Sequence, residues 1–309
     1  MDELRGELWS ERFAEWMRLR NWSAQTVISY QTGLRQFFAY LKDQGVVSLA
    51  AVTRDLVEGF RTHLFYRKHK GKPLSVATQS SRLLAAKSFL KYLVRENVLL
   101  ADVASTVDLP KKQKTLPTVL SETEVARLLQ APDVDNLTGI RDRALLETLY
   151  ATALRNGELG SLQLEDLDWE RRALWVRQGK GQKDRVVPIG DEALAWLEEY
   201  LHRVRPQWVT RDDEKHLFLH LRGGRLAHEA VRKIVMRAAQ TAGLKGVKPH
   251  TLRHSCATHM LARGASLRHL QEMLGHESLA TTQHYTRVEL ADLHKVLRRC
   301  HPREARSFS

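Results

Sequence analysis

The sequence predicts a mainly helical fold with one small β-sheet, in two parts. Three observations predict it. Apolar residues recur at helical spacing through the first hundred positions. A proline- and lysine-bearing stretch then interrupts the pattern near residue 110. Further on, one stretch alternates apolar and polar residues on both sides of a Gly-Lys-Gly turn. The length of 309 residues agrees with two domains, at roughly 100–200 residues each.

The elements follow in order. Trp9, Phe13, Trp16 and Met17 line one face of a first helix. Ser23 is placed to cap a second, in which Val27, Tyr30, Leu34, Phe37, Phe38 and Leu41 recur before Gly45 ends the run. Thr53 is placed to cap a third, with Leu56, Val57, Phe60 and Leu64 inside. Ser75 is placed to cap a fourth, with Val76, Leu83, Ala86, Leu90 and Leu93 along it. Four amphipathic helices with short connections make a small bundle, expected over residues 1–107. Residues 108–117 hold Pro110 and Pro117 around several lysines and read as a linker. Ser121 and Glu124 then fit a capping box, so a second domain is expected over 118–309. In it, RALWVRQGKGQKDRVVPI reads as a β-hairpin, and HLFLHLRGGRL is a candidate further strand. Helices are expected at 191–204, 227–242 and 251–263, with two more toward the C-terminus.

Charge narrows the partner. The formal net charge of +13 suits a polyanion, nucleic acid before an anionic membrane surface. No acidic residue occurs between Glu58 and Glu96, while Arg61, Arg67, Lys68, Arg82, Lys87 and Lys91 fall there. Such a run is ordinarily a solvated face. On helices that also carry an apolar stripe, it reads as a surface that tracks DNA phosphates. Two cysteines, Cys256 and Cys300, make no disulfide framework and point to a reducing compartment. With no apolar run of about 18 residues and no secretory signal, a cytoplasmic, nucleoid-associated protein is expected, with no membrane partner.

The histidine-rich stretch KPHTLRHSCATHM invites a metal reading, which the spacing disfavours. A zinc-protease helix needs two histidines four residues apart with a glutamate between them. His254 and His259 are five apart, HEAVR lacks its second histidine, and there is no C-x-x-C. QGKGQKDR also lacks the phosphate-loop pattern. No metal and no cofactor is expected. A dispersed set remains: Arg155 in YATALRNGEL, Lys180 in QGKGQK, His250 and Arg253 in PHTLRH, His276 in MLGHES, and Tyr285 in TTQHYTRVEL. Singly, each is ordinary; Arg155 also reads as a surface arginine and Tyr285 as a packed phenol.

Together, these segments resemble the tyrosine recombinase (phage integrase) family, in particular the Xer-type recombinases. The motifs ALRNGEL, GKGQKDRVVPI, HTLRHSCATHML and LGHESLATTQHYT stand in the family's order and at its spacing. SAQTVISYQTGLRQFFAYL and ATQSSRLLAAKSFLKYL resemble its N-terminal half. The resemblance implies an N-terminal helical core-binding (SAM-like) domain and a C-terminal α+β catalytic domain. It implies Arg155, Lys180, His250, Arg253, His276 and Tyr285 as the catalytic set. Two departures stand out: Ala153 occupies a position where glycine is usual, and Cys256 one where an aromatic is common.

The implied chemistry is attack of the Tyr285 hydroxyl on a DNA phosphodiester. A phenol has a pKa near 10 and needs help to react at neutral pH. Arg155 and Arg253 would clamp the non-bridging oxygens with fork-shaped donors. Lys180, rather than its rival Lys183, would protonate the leaving 5′-oxygen, His250 would take the tyrosine proton, and His276 would position the phosphate. The resemblance further implies inverted-repeat double-stranded DNA, a homo- or hetero-tetramer, a Holliday junction, and docking of ELADLHKVLRRC on a neighbouring subunit. Leu290, Leu293 and Leu297 in that tail fit packing on its own core equally well. His254 and His259 read as structural and Cys256 as a small buried hydrophobe.

Overall fold

A computed structural model describes residues 6–111, 118–177, 184–275 and 290–304. The chain divides into two compact units, residues 1–115 and 116–309. Among the described residues, no helix is long and apolar enough to cross a membrane.

The first unit contains α1 (Gly6–Leu19), α2 (Ala24–Asp43), α3 (Arg54–Tyr66) and α4 (Val76–Arg95). Ser23, Thr53 and Ser75 accept the N–H groups of Thr26, Leu56 and Thr78, starting α2, α3 and α4 where the sequence places them. A cap of this kind contributes about 1 kcal/mol. The apolar stripes meet in one cluster that includes Phe13, Leu34, Phe37, Phe60, Leu83, Phe89 and Leu90. Phe13 packs edge-on to Phe89 at 5.7 Å between ring centroids, and Phe37 lies 5.0 Å from Phe60. Val76, in the first turn of α4, stays exposed, unlike the rest of its expected stripe. A Cβ on Gly33 would lie 2.8 Å from the Ala85 Cβ, so α2 and α4 cross there at backbone range. Between α3 and α4 a short hairpin pairs β1 (Lys68–His69) with β2 (Lys72–Pro73). Two-residue strands are too short to show alternation, which is why sequence reading misses them.

In the second unit, α5 (Glu122–Gln130) begins with the expected Ser121/Glu124 capping box. α6 (Leu137–Thr152) is buried on every side from Gly139 onward. Its charges are paired rather than exposed: Arg141 with Asp142, Arg143 with Glu147, and Glu147 also with Arg303. A helix without a polar face sits at the centre of its domain. Next come α7 (Asn156–Leu159) and an antiparallel sheet of β3 (Leu167–Asp168), β4 (Ala173–Val176) and β5 (Arg185–Pro188), in that order. β4 and β5 are the two arms of the expected hairpin, with Val176 opposite Arg185.

α8 (Asp191–Glu199) runs into a π-helical turn at Tyr200–Val204 and then α9 (Arg205–Trp208). The widened turn ends two residues before Pro206, which has no N–H to continue an α ladder. The stretch 216–226 forms only isolated bridges, Gln163 with His216 and Leu219 with Arg225, rather than the further strand expected. α10 (His228–Thr241) and α11 (Pro249–Ala262) follow. α11 starts two residues earlier than the apolar pattern suggests, because Pro249 is pre-set for a first helical turn and the Thr251 hydroxyl accepts the Lys248 N–H at 3.1 Å. α12 (Leu267–Leu274) ends on Gly275 at φ +61, and α13 (Leu290–Cys300) packs against β5, α11 and α12. Leu293 and Leu297 of α13 are buried in this unit's own core, while Leu290 is half-buried.

Candidate active site

The site grows from the end of α6. The helix stops at Ala153, which adopts left-handed backbone angles (φ +50, ψ 31) and turns the chain sharply. Two residues on, Arg155 stands just ahead of α7, and Glu158 folds back to accept its N–H at 2.7 Å. The same carboxylate accepts from the Arg155 guanidinium at 2.7 Å and from Arg185 of β5 at 2.9 and 3.1 Å. Arg253, in the second turn of α11, donates to the Ala153 carbonyl at 2.6 Å.

All three guanidiniums also grip the C-terminus of α12. Arg185 donates to the Met273 carbonyl at 2.9 Å, Arg253 to Leu274 at 2.7 Å, and Arg155 to Gly275 at 2.9 Å. Three successive carbonyls at a helix end have no intrahelical partner and carry the negative end of its dipole. They are natural acceptors for cations, and this pinning fixes where the chain leaves α12, immediately before His276.

Three arginines gather here around one carboxylate, which bonds two of them, Arg155 and Arg185, so the cluster retains excess positive charge in a partly buried place. Arg253 is only 8% exposed. Burial, and then repulsion from Arg155, push its pKa down to about 10, so it remains charged at neutral pH. Burial alone would raise Glu158. Hydrogen bonds from Arg185 and from the Arg155 backbone and side chain outweigh that and hold it at about 2. An anion with several oxygens is what such a cluster accommodates.

His250 lies in the first turn of α11, exposed, one helical turn before Arg253. Lys180, its rival Lys183, His276 and Tyr285 lie outside the described residues. The structure thus brings together Arg155 and Arg253 from the expected set and adds Arg185 and Glu158, to which sequence reading gives no role. Arg185 sits 27 positions from Glu158, and no local spacing signals that pairing. His259 is structural, bonded on both ring nitrogens, while His254 is exposed. Cys256 is fully buried beside Met260, its thiol pushed up to about 12 by burial. Among the described residues, no group of three or more His, Cys, Asp or Glu side chains is arranged to hold a metal ion.

The cations expected to track DNA behave differently. Lys68 and Lys91 are exposed, as is Arg67, which bonds His63 at 3.3 Å. Arg61 pairs with Glu58 at 2.9 Å. Arg82 is half-buried, with its Nη1 unbonded. Lys87 turns to its own chain, donating to the carbonyls of Val107 and Ser105.

Residues 118–291 match the phage integrase family, and residues 11–97 match the phage integrase N-terminal SAM-like domain. The chain therefore belongs to the phage integrase family, the tyrosine recombinases, enzymes that cleave and rejoin DNA. Within it, the chain is 42% identical to tyrosine recombinase XerC 2 of Ralstonia nicotianae, over 94% of this chain and 85% of that one. It is 38% identical to tyrosine recombinase XerC of Halalkalibacterium halodurans, over 97% and 99%. It is 36% identical to tyrosine recombinase XerD of Staphylococcus aureus, over 91% and 94%. In fold it resembles a lambda integrase dimer bound to a core site (TM-score 0.68, 19% identity, 92% of this chain and 98% of that chain). It also resembles XerH site-specific recombinase bound to its difH substrate (TM-score 0.68, 22% identity, 97% and 83%).

Proposed function

We propose that this recombinase exchanges strands at a specific DNA site through a covalent 3′-phosphotyrosine, with Tyr285 as the nucleophile. The observation that carries this reading is the convergence of Arg155, Arg185 and Arg253 on one helix end directly before His276. Arg155 and Arg253 bind the non-bridging oxygens of the scissile phosphate. As Tyr285 attacks phosphorus, His250 receives the phenol proton, and the bond to the 5′-oxygen breaks with a proton from Lys180. His276 hydrogen-bonds the phosphate. Rejoining reverses these steps with the 5′-hydroxyl of the other strand. One phosphate ester replaces another, so no ATP is required.

Charge developing on the phosphoryl oxygens meets donors already in place. Loss of one donor of this kind costs on the order of 3–4 kcal/mol, about a hundred- to a thousandfold in rate. Lys68 and Lys91, with the neighbouring cations, hold the duplex backbone of an inverted-repeat site. Four protomers, identical or paired with a paralogue, assemble on two duplexes and pass through a Holliday junction. The reading puts the protein in the cytoplasm, on the nucleoid.

A nicked suicide substrate tests it. The protein should become covalently attached to DNA on a denaturing gel, and Tyr285→Phe should abolish the adduct while retaining binding. An adduct formed by Tyr285→Phe overturns the assignment. Plasmid relaxation by dilute protein without strand exchange would instead indicate a topoisomerase.

A further inference from the structure

The reaction uses one side of α11 and leaves three buried or paired polar groups on the other unexplained. Ser255 and His259 lie four residues apart and so share a face of the helix, and Arg263, which caps its end, follows four residues on. All three hold the chain where it enters the second unit. The Ser255 hydroxyl accepts the Leu120 N–H at 2.9 Å and donates to the Thr251 carbonyl. His259 Nε2 bonds the Leu120 carbonyl at 2.8 Å. Arg263 grips Glu122 through two bonds, at 3.0 and 2.6 Å.

A carbonyl only accepts, so Nε2 of His259 donates to it, which leaves Nδ1 for a second bond. That bond is with the Tyr150 hydroxyl of α6, at 2.8 Å. One imidazole therefore joins three pieces of chain: α11, α6 and the incoming backbone.

This junction lies close to the catalytic cluster along both helices. Tyr150 is three residues before Ala153, whose carbonyl holds Arg253, and five before Arg155. His259 is six residues after Arg253, about 9 Å along the helix axis. The two bonds of His259 add a directional tie between α6 and α11 to the one that Arg253 makes on the Ala153 carbonyl. A shift of α11 against α6 changes the separation of Arg253 and Arg155 directly.

We propose that His259 is a positioning residue for strand cleavage: it sets the register of α11 against α6 and against the backbone at Leu120, and so the spacing of the two arginines about the phosphate. The proposal rests on the assignment of Arg155 and Arg253 to that phosphate.

The test uses the full-length protein, single-turnover cleavage of a nicked suicide substrate at saturating DNA, DNA affinity, and thermal unfolding. His259→Leu should lower the cleavage rate constant by about 10- to 100-fold, the scale of an ångström-sized misplacement, with DNA affinity within about twofold of wild type. His259→Gln supplies a donor for the Leu120 carbonyl and an acceptor for Tyr150, and should restore most of the rate. In an Arg253→Lys background, itself strongly impaired, His259→Leu should cost less than about threefold more, because residues acting as a unit are not additive. A full additional loss in that background, or an unchanged rate for His259→Leu alone, overturns the proposal. A loss that follows melting temperature in every variant, glutamine included, does the same. Should His259→Leu fail to fold, Tyr150→Phe carries the test: the expected loss is about three- to tenfold, absent from the Arg253→Lys background, and an undiminished rate overturns the idea. Wild-type cleavage by Arg253→Lys itself removes the underlying assignment of Arg253, a failure distinct from that of His259.

Discussion

The two units carry cations in opposite ways. In the helical unit, Lys68 and Lys91 project into solvent, and the exposed Arg67 bonds a histidine. In the second unit, Arg155, Arg185 and Arg253 are anchored by carbonyls and by Glu158, with Arg253 nearly buried. Solvated lysines hold DNA by displacing counterions, an effect that salt erodes and that needs no fixed geometry. Anchored guanidiniums lose little on meeting a phosphate, because their orientation is already set. If the proposed function holds, one set supplies affinity and the other rate, and the two should separate under mutation.

The largest effect should come from Glu158→Gln. It removes the negative charge that Arg155 and Arg185 share and puts an NH2 donor where one of the two accepting oxygens stood, so their four bonds cannot all be kept. Breaking a buried pair in this way costs roughly 3–5 kcal/mol of stability. The cleavage rate at saturating DNA should fall about 10- to 100-fold as Arg155 and Arg185 lose their orientation. DNA affinity should hold, since the cluster becomes more positive. A pH series sharpens this. Because the folded-state pKa of Glu158 is depressed to about 2 from 4.5, its stabilisation is present above about 4.5 and is lost as pH falls toward 2. Wild type should lose stability across that window, and Glu158→Gln should show less of this loss. Thermal melts from pH 5 to pH 2 measure it.

The same contrast explains what the sequence discloses. The first unit is legible because its helices carry hydroxyl caps and one-sided stripes, as at Ser23 with Leu34, Phe37 and Leu41. α6 offers no such stripe: every face is buried, and charges such as Arg143 and Glu147 are satisfied inside the core, so its periodicity vanishes. At the site, Arg155 and Arg253 stand out through the motifs around them. Arg185 and Glu158 do not, because their importance lies in a pairing across 27 residues. The inward turn of Lys87 is equally hidden, since its partners are backbone carbonyls, which carry no letter in the sequence.

A smaller effect should follow from replacing Lys68 and Lys91 together with alanine. Each cation withdrawn from a phosphate should reduce the slope of log affinity against log salt by about 1. Affinity should fall several-fold at moderate salt, while the cleavage rate at saturating DNA stays at the wild-type value. Binding titrations at several salt concentrations, run beside single-turnover cleavage, separate the two. A lower rate at saturation would blur the division between holding and cutting.

The smallest effect belongs to Ala153, the position where the family usually has glycine. A left-handed conformation costs a non-glycine residue about 1–2 kcal/mol, and Ala153 holds φ +50. Glycine would relieve that strain. It would also lose backbone entropy, about 0.5–1 kcal/mol, and a buried methyl worth roughly 0.8 kcal/mol, since Ala153 is 2% exposed. The opposing contributions nearly cancel, so Ala153→Gly should leave the melting temperature within a few degrees of wild type. Its carbonyl, the part that holds Arg253 at 2.6 Å, belongs to the backbone and survives the change. Cleavage should therefore stay within about twofold of wild type if the carbonyl alone orients the guanidinium. A larger fall would show that the methyl, by stiffening the turn, helps to hold the anchored set in place.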